Sequence, residues 1–448
     1  MASAGLRSAE KGRVSTCELA DRVAQEVLSA LEGRDGRVAP LEGGAAALLQ
    51  GGQAVLAGFV LSLPPDDPAA PAELRAVALG AGTKFMAEAA ILKDRRGETV
   101  RDCHAEVLAR RGLKLFLLRE LRNAATGASS DVLALNPASG LYRLRPGVTL
   151  HMYSSSQPCG NCTLKRWAKG RKETFRPELG PGAWPPEPHG KLCVMARGEG
   201  QVALLVKREG PEAGRVDDED GGEGVSCGRG GVLAPGTARP GSGEGCTMTC
   251  SDKIASWNAL GVQGALLALA MEPIYLASVT VGRKFSRAHC ERGLCCRLQD
   301  FAPRKVPALA ALDPFQIRHP AMMCTAVKLD HGVYKGEGAR ASFDSRCLVW
   351  ARGDERAELL EGASGLARGE GAAGRQLSRV CKARLFGAFK ELVSALKHRP
   401  ELEALAGGTY RAAKDGAAAY QAAKALLQGS PNLFAGWVKA PAALEAFR

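Results

Sequence analysis

The sequence predicts an α/β fold, and three observations carry that expectation. Apolar segments at helical spacing alternate with short β-branched runs from residue 76 to 282, the pattern of helices covering a sheet rather than of a helical bundle. The chain has 448 residues, 46% of them hydrophobic, which is ample for one large core or two medium ones. It contains no run of about 18 uncharged apolar residues, so no membrane-spanning helix is expected.

In chain order, residues 16–32 place Leu19, Val23, Val27 and Leu31 at helical spacing, with Ser15 or Thr16 as N-cap. Gln53–Leu63 reads as a short strand stopped by Pro64-Pro65. Ala76–Leu79 then runs into Gly80-Ala81-Gly82-Thr83-Lys84, which reads as a Gly-rich turn, with a phosphate cradle as the alternative. A helix-permissive run opens at Asp102-Cys103-His104-Ala105-Glu106 and reaches about Leu121, offering Val107, Leu108, Leu113, Leu115, Leu117, Leu118 and Leu121 for burial. Val148–Ser154 alternates as a strand, with Val148, Leu150 and Met152 on one face, and leads into Gln157-Pro158-Cys159-Gly160-Asn161-Cys162.

Residues 170–245 change character. Prolines, many glycines and the acidic run Asp217-Asp218-Glu219-Asp220 mark a partly disordered surface insertion, within which Cys193–Lys207 holds a strand-like stretch at Val202–Val206. Order returns at Met248–Gly261, a helix with Ser251 or Asp252 as cap, and at Glu272–Gly282, a β-branched core strand. The tail 371–448 carries twelve Lys and Arg against five Asp and Glu. In it Tyr410/Lys414 and Tyr420/Lys424 repeat an i, i+4 pair, which by pattern alone is a solvated basic face.

Charge and cysteine content narrow the class. Sixty Lys and Arg against 47 Asp and Glu give a net charge of +13, a balance common among nucleic-acid binders. Fourteen cysteines without a secretory signal point to a reducing compartment, cytoplasm or nucleus, where thiols serve as ligands or small core residues. A transit peptide is the alternative reading of the basic first fifteen residues.

Two short segments carry the residue types of zinc chemistry. His104-Ala105-Glu106 is one, and Pro158-Cys159-Gly160-Asn161-Cys162 is the other. In nucleobase deamination the imidazole and thiolates hold the metal, while the carboxylate moves protons and does not ligate. On spacing alone His104, Cys159 and Cys162 form one candidate set. Cys295-Cys296, and Cys290 with His289, lack a second pair at zinc-ribbon spacing and read as core or surface thiols. Met322-Met323 and Trp350 read as packing residues.

Taken together, Asp102–Arg111, Ser156–Gly160 and Thr249–Gly264 followed by Glu272–Gly282 resemble the adenosine-to-inosine RNA deaminases. Gly80–Lys84, Arg379-Val380-Cys381-Lys382, Tyr420–Lys424 and Gly436–Pro441 fit the same family. The resemblance runs from about residue 76 to the C-terminus, apart from 170–245. It implies a cytidine-deaminase-like α/β/α core with a helical C-terminal half enclosing a polyanion. Residues 76–448 form the deaminase domain, and 1–75 form a helix and strand that belong to it or lead into it.

It also implies site residues. By the resemblance zinc falls to His104, Cys159 and Cys250, since the family's third ligand is the cysteine of the Cys-Ser-Asp-Lys block, and adding Cys162 as a fourth would close the position that water needs. Glu106 becomes the proton shuttle of a hydrolytic reaction at adenine C6. Thr83 and Lys84 match the segment that contacts the flipped nucleotide. Arg110, Arg111, Lys253, Lys382, Tyr410, Lys414, Tyr420, Lys424 and Trp437 match the shell of a buried, structural inositol hexakisphosphate, and Asp102 links that shell, through Lys253, to the zinc side. Asn161, Cys162 and Thr163, and at the rim of the shell Arg101, Ser256, Lys439, Ala440 and Glu445, depart from the pattern. The closest likeness is to the tRNA-specific branch, which makes inosine at position 37 of tRNA-Ala. Double-stranded-RNA editors carry separate RNA-binding domains upstream, and only about 75 residues precede Ala76 here. The expected partner is therefore the tRNA-Ala anticodon stem-loop. The alternatives are a double-stranded RNA or mRNA editor and a catalytically silent RNA-binding homologue.

Overall fold

A mixed sheet separates two apolar layers, and the two-residue period of its strands decides which side chain enters which layer. The computed structural model describes residues 16–33, 55–163 apart from 66 and 68, the strands 193–198 and 201–206, and then 246–300, 314–329 apart from 328, 346–369, 374–429, 434, 437 and 439–448. Ser15, Gln53, Ala54, Gly436, Val438, the basic first fifteen residues and the rest of 170–245, including Asp217–Asp220, lie outside them.

The first half runs α1 (Thr16–Glu32), β1 (Leu56–Leu63), β2 (Glu73–Ala81), β3 (Thr83–Phe85), α2 (Glu88–Lys93), β4 (Asp102–His104), α3 (Ala105–Ala125), the hairpin β5–β6 (Leu133–Asn136 and Leu141–Leu144) and β7 (Thr149–Ser154). Then come β8 (Cys193–Gly198), β9 (Gln201–Val206), β10 (Cys246–Met248), α4 (Cys250–Leu260), β11 (Leu276–Val281), α5 (Arg287–Glu291), a π turn (Arg292–Cys296), α6 (Arg297–Asp300) and β12 (Ala321–Cys324). The chain closes with β13 (Arg346–Ala351), β14 (Glu358–Glu361), β15 (Leu366–Arg368), β16 (Arg375–Gln376) and four helices, α7 (Lys382–Ala395), α8 (Glu401–Gly407), α9 (Tyr410–Asp415) and α10 (Ala418–Gln428).

The sheet order is β12-β11-β7-β1-β2-β13-β14-β15-β16. It is parallel across β7, β11 and β12 and antiparallel elsewhere. Phe59, Leu61, Val77, Leu150, Met152 and Val349 point to one face, where they meet Leu108, Leu113, Leu117 and Leu121 of α3. Leu56, Val60, Ala76, Leu79, Leu348 and Trp350 point to the other, where they meet Val23, Val27 and Leu31 of α1. Each such side chain contributes about 1.5–3 kcal/mol relative to leaving it in water. The α/β class is thus as the sequence predicts, and α1 and β1 pack within the same core. Val202–Val206 falls in β9, paired with β8. Among the described residues no helix is long and apolar enough to cross a membrane.

Three local expectations are corrected. Gly80–Lys84 is not a turn: Gly80 and Ala81 finish β2, and Thr83–Phe85 is a strand of its own paired with β4. Only Gly82, at φ +154, breaks the run. The long helix accordingly begins at Ala105, not at Asp102, because Asp102–His104 are held in that ladder and His104 becomes the N-cap. Thr249, rather than Ser251 or Asp252, caps α4 by accepting from the Asp252 backbone N–H.

Gly80 is where β2 and α3 touch backbone to backbone. A β-carbon there would lie 2.3 Å from the Ala109 nitrogen and 2.4 Å from the Ala105 oxygen. Neither atom can rotate away, so Gly80→Ala is expected to cost at least about 1–3 kcal/mol, read as a lower urea midpoint at unchanged slope.

Candidate functional site

The β4–α3 junction places one imidazole with fixed orientation. The buried Asp102–His104 pair shares a hydrogen bond of 2.7 Å between Asp102 Oδ1 and His104 Nδ1, and the His104 backbone N–H donates to the same oxygen at 3.0 Å. With Nδ1 engaged, Nε2 is the nitrogen left for a metal. Asp102 Oδ2 accepts from Thr247 Oγ1 at 3.0 Å and from the Lys253 ammonium. Burial alone would raise the Asp102 carboxyl, but Lys253 and His104 together hold it well below the usual carboxylate range. Burial likewise disfavours a charged His104, yet the Asp102 carboxylate lifts the imidazole to about 9. Phe85 stacks on the His104 ring at 5.9 Å. Thr83 stands opposite His104 in the β3–β4 ladder, with Lys84 next to it opposite Cys103.

Two thiols meet across a long sequence gap because Gly160 permits it. Gly160 has φ +95, and a β-carbon on it would strike Thr249 Oγ1 at 2.1 Å, so the Cys159 loop lies directly on the start of α4. The Cys250 backbone N–H donates to Cys159 Sγ at 3.3 Å. The thiols also hydrogen-bond each other, which lowers Cys159 and raises Cys250 from the ordinary thiol value. His104 further lowers Cys159 through its charge, while the carboxylate of Glu106, buried in the first turn of α3, raises both thiols. Ser251 locks the arrangement. Its N–H donates to the Cys159 carbonyl at 3.0 Å, its hydroxyl donates to the same oxygen at 2.7 Å, and it accepts the Cys162 N–H at 3.1 Å.

Cys162 is turned the other way. Its thiol pairs with Cys290, and burial together with that pairing pushes it well above the ordinary thiol value. The structure thus joins Cys250, not Cys162, to Cys159. Behind this loop Arg292 donates to Asn161 Oδ1 at 2.8 Å and to its backbone oxygen at 2.5 Å. Arg297 forms a fully buried ion pair with Asp252 at 2.6 Å. Sequence reasoning missed both arginines, since nothing in their spacing distinguishes them from surface residues.

A second feature lies one to two turns further along the N-terminal half of α3. Arg110, Arg111 and Lys114 share one face of that helix and meet Lys382 and Lys414. Arg110 donates to the Val262 carbonyl at 2.7 Å and lies 4.8 Å from the Trp257 ring centre, while Arg111 donates to the Val380 carbonyl at 2.5 Å. Tyr410 sits between Lys382 and Lys414, at 5.8 and 5.1 Å, and Tyr420 hydrogen-bonds Arg110. Lys424 is lowered by burial and by Lys414. Glu445 bridges Lys382 at 2.6 Å and Lys414 at 2.7 Å, and the two ammonium groups overcome burial to hold its carboxyl at about 2. Burial and the surrounding cations push Lys114 well below its ordinary value, and burial leaves Lys382 at about 8.

The Tyr410/Lys414 and Tyr420/Lys424 pairs are therefore half-buried in a cation cluster, not on a solvated face. Lys253 stands on the Asp102 side, and Trp437 packs at 5.3 Å on Phe434 in an apolar cluster that Tyr420 also borders. Lys114 was missed, although its i+4 and i+3 spacing from Arg110 and Arg111 is the signal that would have found it.

Among the described residues, the group of three metal-type donors all within 4.8 Å of one another is Cys295, Cys296 and His319. His319 supplies the neighbouring donor that the spacing of Cys295 and Cys296 did not reveal, and the His104–Cys159–Cys250 set is the looser of the two.

Residues 78–441 match the adenosine-deaminase (editase) domain. The chain is 30% identical over 370 residues to a double-stranded RNA-specific adenosine deaminase of Mus musculus, covering 81% of this chain and 28% of that protein. It is 26% identical over 444 residues to tRNA-specific adenosine deaminase 1 of Mus musculus, covering 83% of this chain and 88% of the relative. With the Homo sapiens protein of the same name it shares 25% over 466 residues, 86% of this chain and 90% of that one. The chain therefore spans between about a quarter and a half of the double-stranded-RNA enzymes it matches and most of the tRNA-specific ones.

Proposed function

The chain belongs to the adenosine-deaminase (editase) family, and from that premise we propose that it converts adenosine to inosine in tRNA by zinc-dependent hydrolysis, at position 37 of tRNA-Ala. The observation that carries the reading is the convergence of Cys159 and Cys250 beside the Asp102-oriented His104, with Glu106 buried in the first turn of α3. The donor set suits zinc: two thiols and one imidazole nitrogen leave a fourth position for water. His104, Cys159 and Cys250 would hold the zinc ion, which would supply a water acidified enough to act as nucleophile near neutral pH.

The chain's own residues do the rest. Glu106 takes one proton of the attacking water and gives it to the neighbouring purine ring nitrogen as the oxygen bonds to C6. It then carries the remaining hydroxyl proton to the amino group, so that the C6–N bond breaks, ammonia leaves and the oxygen becomes the inosine carbonyl. Asp102 keeps His104 in the tautomer that presents Nε2, and Lys253 keeps Asp102 ionised. Thr83 and Lys84, alongside His104 in the β3–β4 ladder, hold the flipped nucleotide. An anticodon loop suits such a site, because a base already free of a duplex costs least to extrude. The net charge of +13 favours the phosphates around it. The tRNA-specific relatives are matched along 88% and 90% of their length, which supports a tRNA substrate.

Within the same reading, the cation cluster holds inositol hexakisphosphate. Arg110, Arg111, Lys114, Lys382, Lys414 and Lys424 bring more positive charge into the fold than Glu445 balances, and buried charge is tolerable only when compensated. This makes a pH prediction. A lysine depressed to about 8 destabilises the folded state while charged, so the cost is full below pH 8 and relieved as pH rises toward the ordinary 10.5. Protein freed of the polyanion should gain thermal stability between pH 8 and 10, and saturating inositol hexakisphosphate should abolish that gain. A flat profile in both conditions counts against the ligand.

The decisive assay incubates purified protein with an unmodified tRNA-Ala transcript and with a long RNA duplex, then sequences for inosine. Inosine at position 37 of the tRNA alone supports the proposal. Inosine in the duplex but not the tRNA replaces it with a double-stranded-RNA editor.

A further inference from the structure

We propose that Cys295, Cys296 and His319 bind a second zinc ion, which has no part in the reaction and braces the wall behind the Cys159 loop. The geometry carries it. Cys295 Sγ and Cys296 Sγ are 3.8 Å apart, and Cys296 Sγ is 3.8 Å from His319 Nδ1. The edge of a tetrahedron around zinc with bonds of about 2.3 Å to sulfur is about 3.8 Å, so these two pairs already stand at the separation of a filled site, and the third lies within 4.8 Å. Both cysteines are free thiols, and two sulfurs with one imidazole are a donor set that selects zinc over hard cations.

The backbone explains how adjacent cysteines can share a target. Arg292–Cys296 forms a π turn, a rare and locally widened helix geometry that recurs at functional sites. Cys295 is buried, Cys296 half-buried and His319 exposed, which gives the ion a path from solvent and leaves water as its fourth ligand.

The position gives the ion a structural consequence. From the same turn Arg292 binds Asn161, Leu294 accepts from Asn258 Nδ2 at 2.9 Å, and a β-carbon on Gly293 would meet Cys162 Sγ at 2.5 Å. Next to His319, the Arg318 N–H donates to the Asn258 carbonyl at 2.8 Å. Both halves of the trio are thus docked on α4, the helix that begins with Cys250. An ion joining them clamps the turn to the segment before β12 and so supports the loop that carries Cys159.

The test is a difference measurement on the full chain, so it stands whatever occupies the first centre. Zinc is quantified by mass spectrometry in the wild type, in Cys295→Ser/Cys296→Ser and in His319→Ala, whose exposed side chain can be removed without disturbing the core. The wild type is expected to hold one ion per chain more than the double variant. In chelator competition, His319→Ala should release that ion with an affinity lowered at least about tenfold. Cobalt(II) supplies a second readout: a thiolate-to-metal absorption band is expected to persist in Cys159→Ser and to weaken in the double variant. Equal zinc in all three proteins, or a cobalt band unchanged in both the double variant and His319→Ala, overturns the proposal.

Discussion

Glu106→Gln is expected to abolish inosine formation while leaving metal content, fold and RNA affinity intact. The substitution preserves the shape of the side chain at a buried position in the first turn of α3, where a change of volume would be felt by the close-packed surroundings. It removes the one property that the chemistry requires, the capacity to accept a proton at one oxygen and release it elsewhere. A positioned general acid–base contributes about 10²–10⁴-fold, so turnover should fall by at least that factor, with a change in kcat rather than in KM. The metal should stay, because the carboxylate influences Cys159 and Cys250 only through its charge. Single-turnover deamination of a tRNA-Ala transcript, read beside zinc content, separates the two. Turnover within a few-fold of wild type would remove Glu106 from the mechanism. A wild-type protein as inactive as the variant on both tRNA and duplex RNA would favour the catalytically silent reading.

What the sequence disclosed and what it hid follow from the range of the interactions involved. His104 and Glu106 were legible because both lie within a few residues of one helix start, and Asp102 belongs to the same short segment. The sheet strands were legible because burial on two faces writes itself as a near-continuous apolar run, as in Leu56–Leu63. Cys250 was not legible from spacing. It stands 91 residues from Cys159, and only resemblance to a family singled it out. The literal P-C-x-x-C pattern favoured Cys162, whose thiol the fold instead directs to Cys290. Periodicity also failed in the tail. The i, i+4 spacing of Tyr410 and Lys414 reports that they share a face, not whether that face meets water or Arg110, Arg111 and Lys114. The trio at Cys295 was hidden for both reasons, since it needs a π turn that no pattern encodes and a histidine 23 residues away.

Cys250→Ser and Cys162→Ser should behave oppositely, although both replace a fully buried thiol by the same hydroxyl. Cys250 shares its thiol with Cys159 and gives its backbone N–H to the same sulfur, so it occupies a vertex of the proposed zinc site. Serine there is a poor substitute for a thiolate toward a borderline-soft cation. Because even partners one shell further out cost about 10–100-fold, zinc affinity should drop by more than about 100-fold, and deamination should be lost with it. Cys162 instead packs on the π turn and pairs with Cys290, and its backbone N–H to Ser251 does not depend on the side chain. Its replacement should cost about 1–2 kcal/mol of stability, the ordinary penalty for a buried polar change, with zinc at the first centre and turnover retained. Zinc titration and inosine assays on the two variants decide the ligand set. Retention of metal and turnover by Cys250→Ser, with their loss in Cys162→Ser, would transfer the third vertex to Cys162 and require the Cys159 loop to turn away from α4 when metal binds.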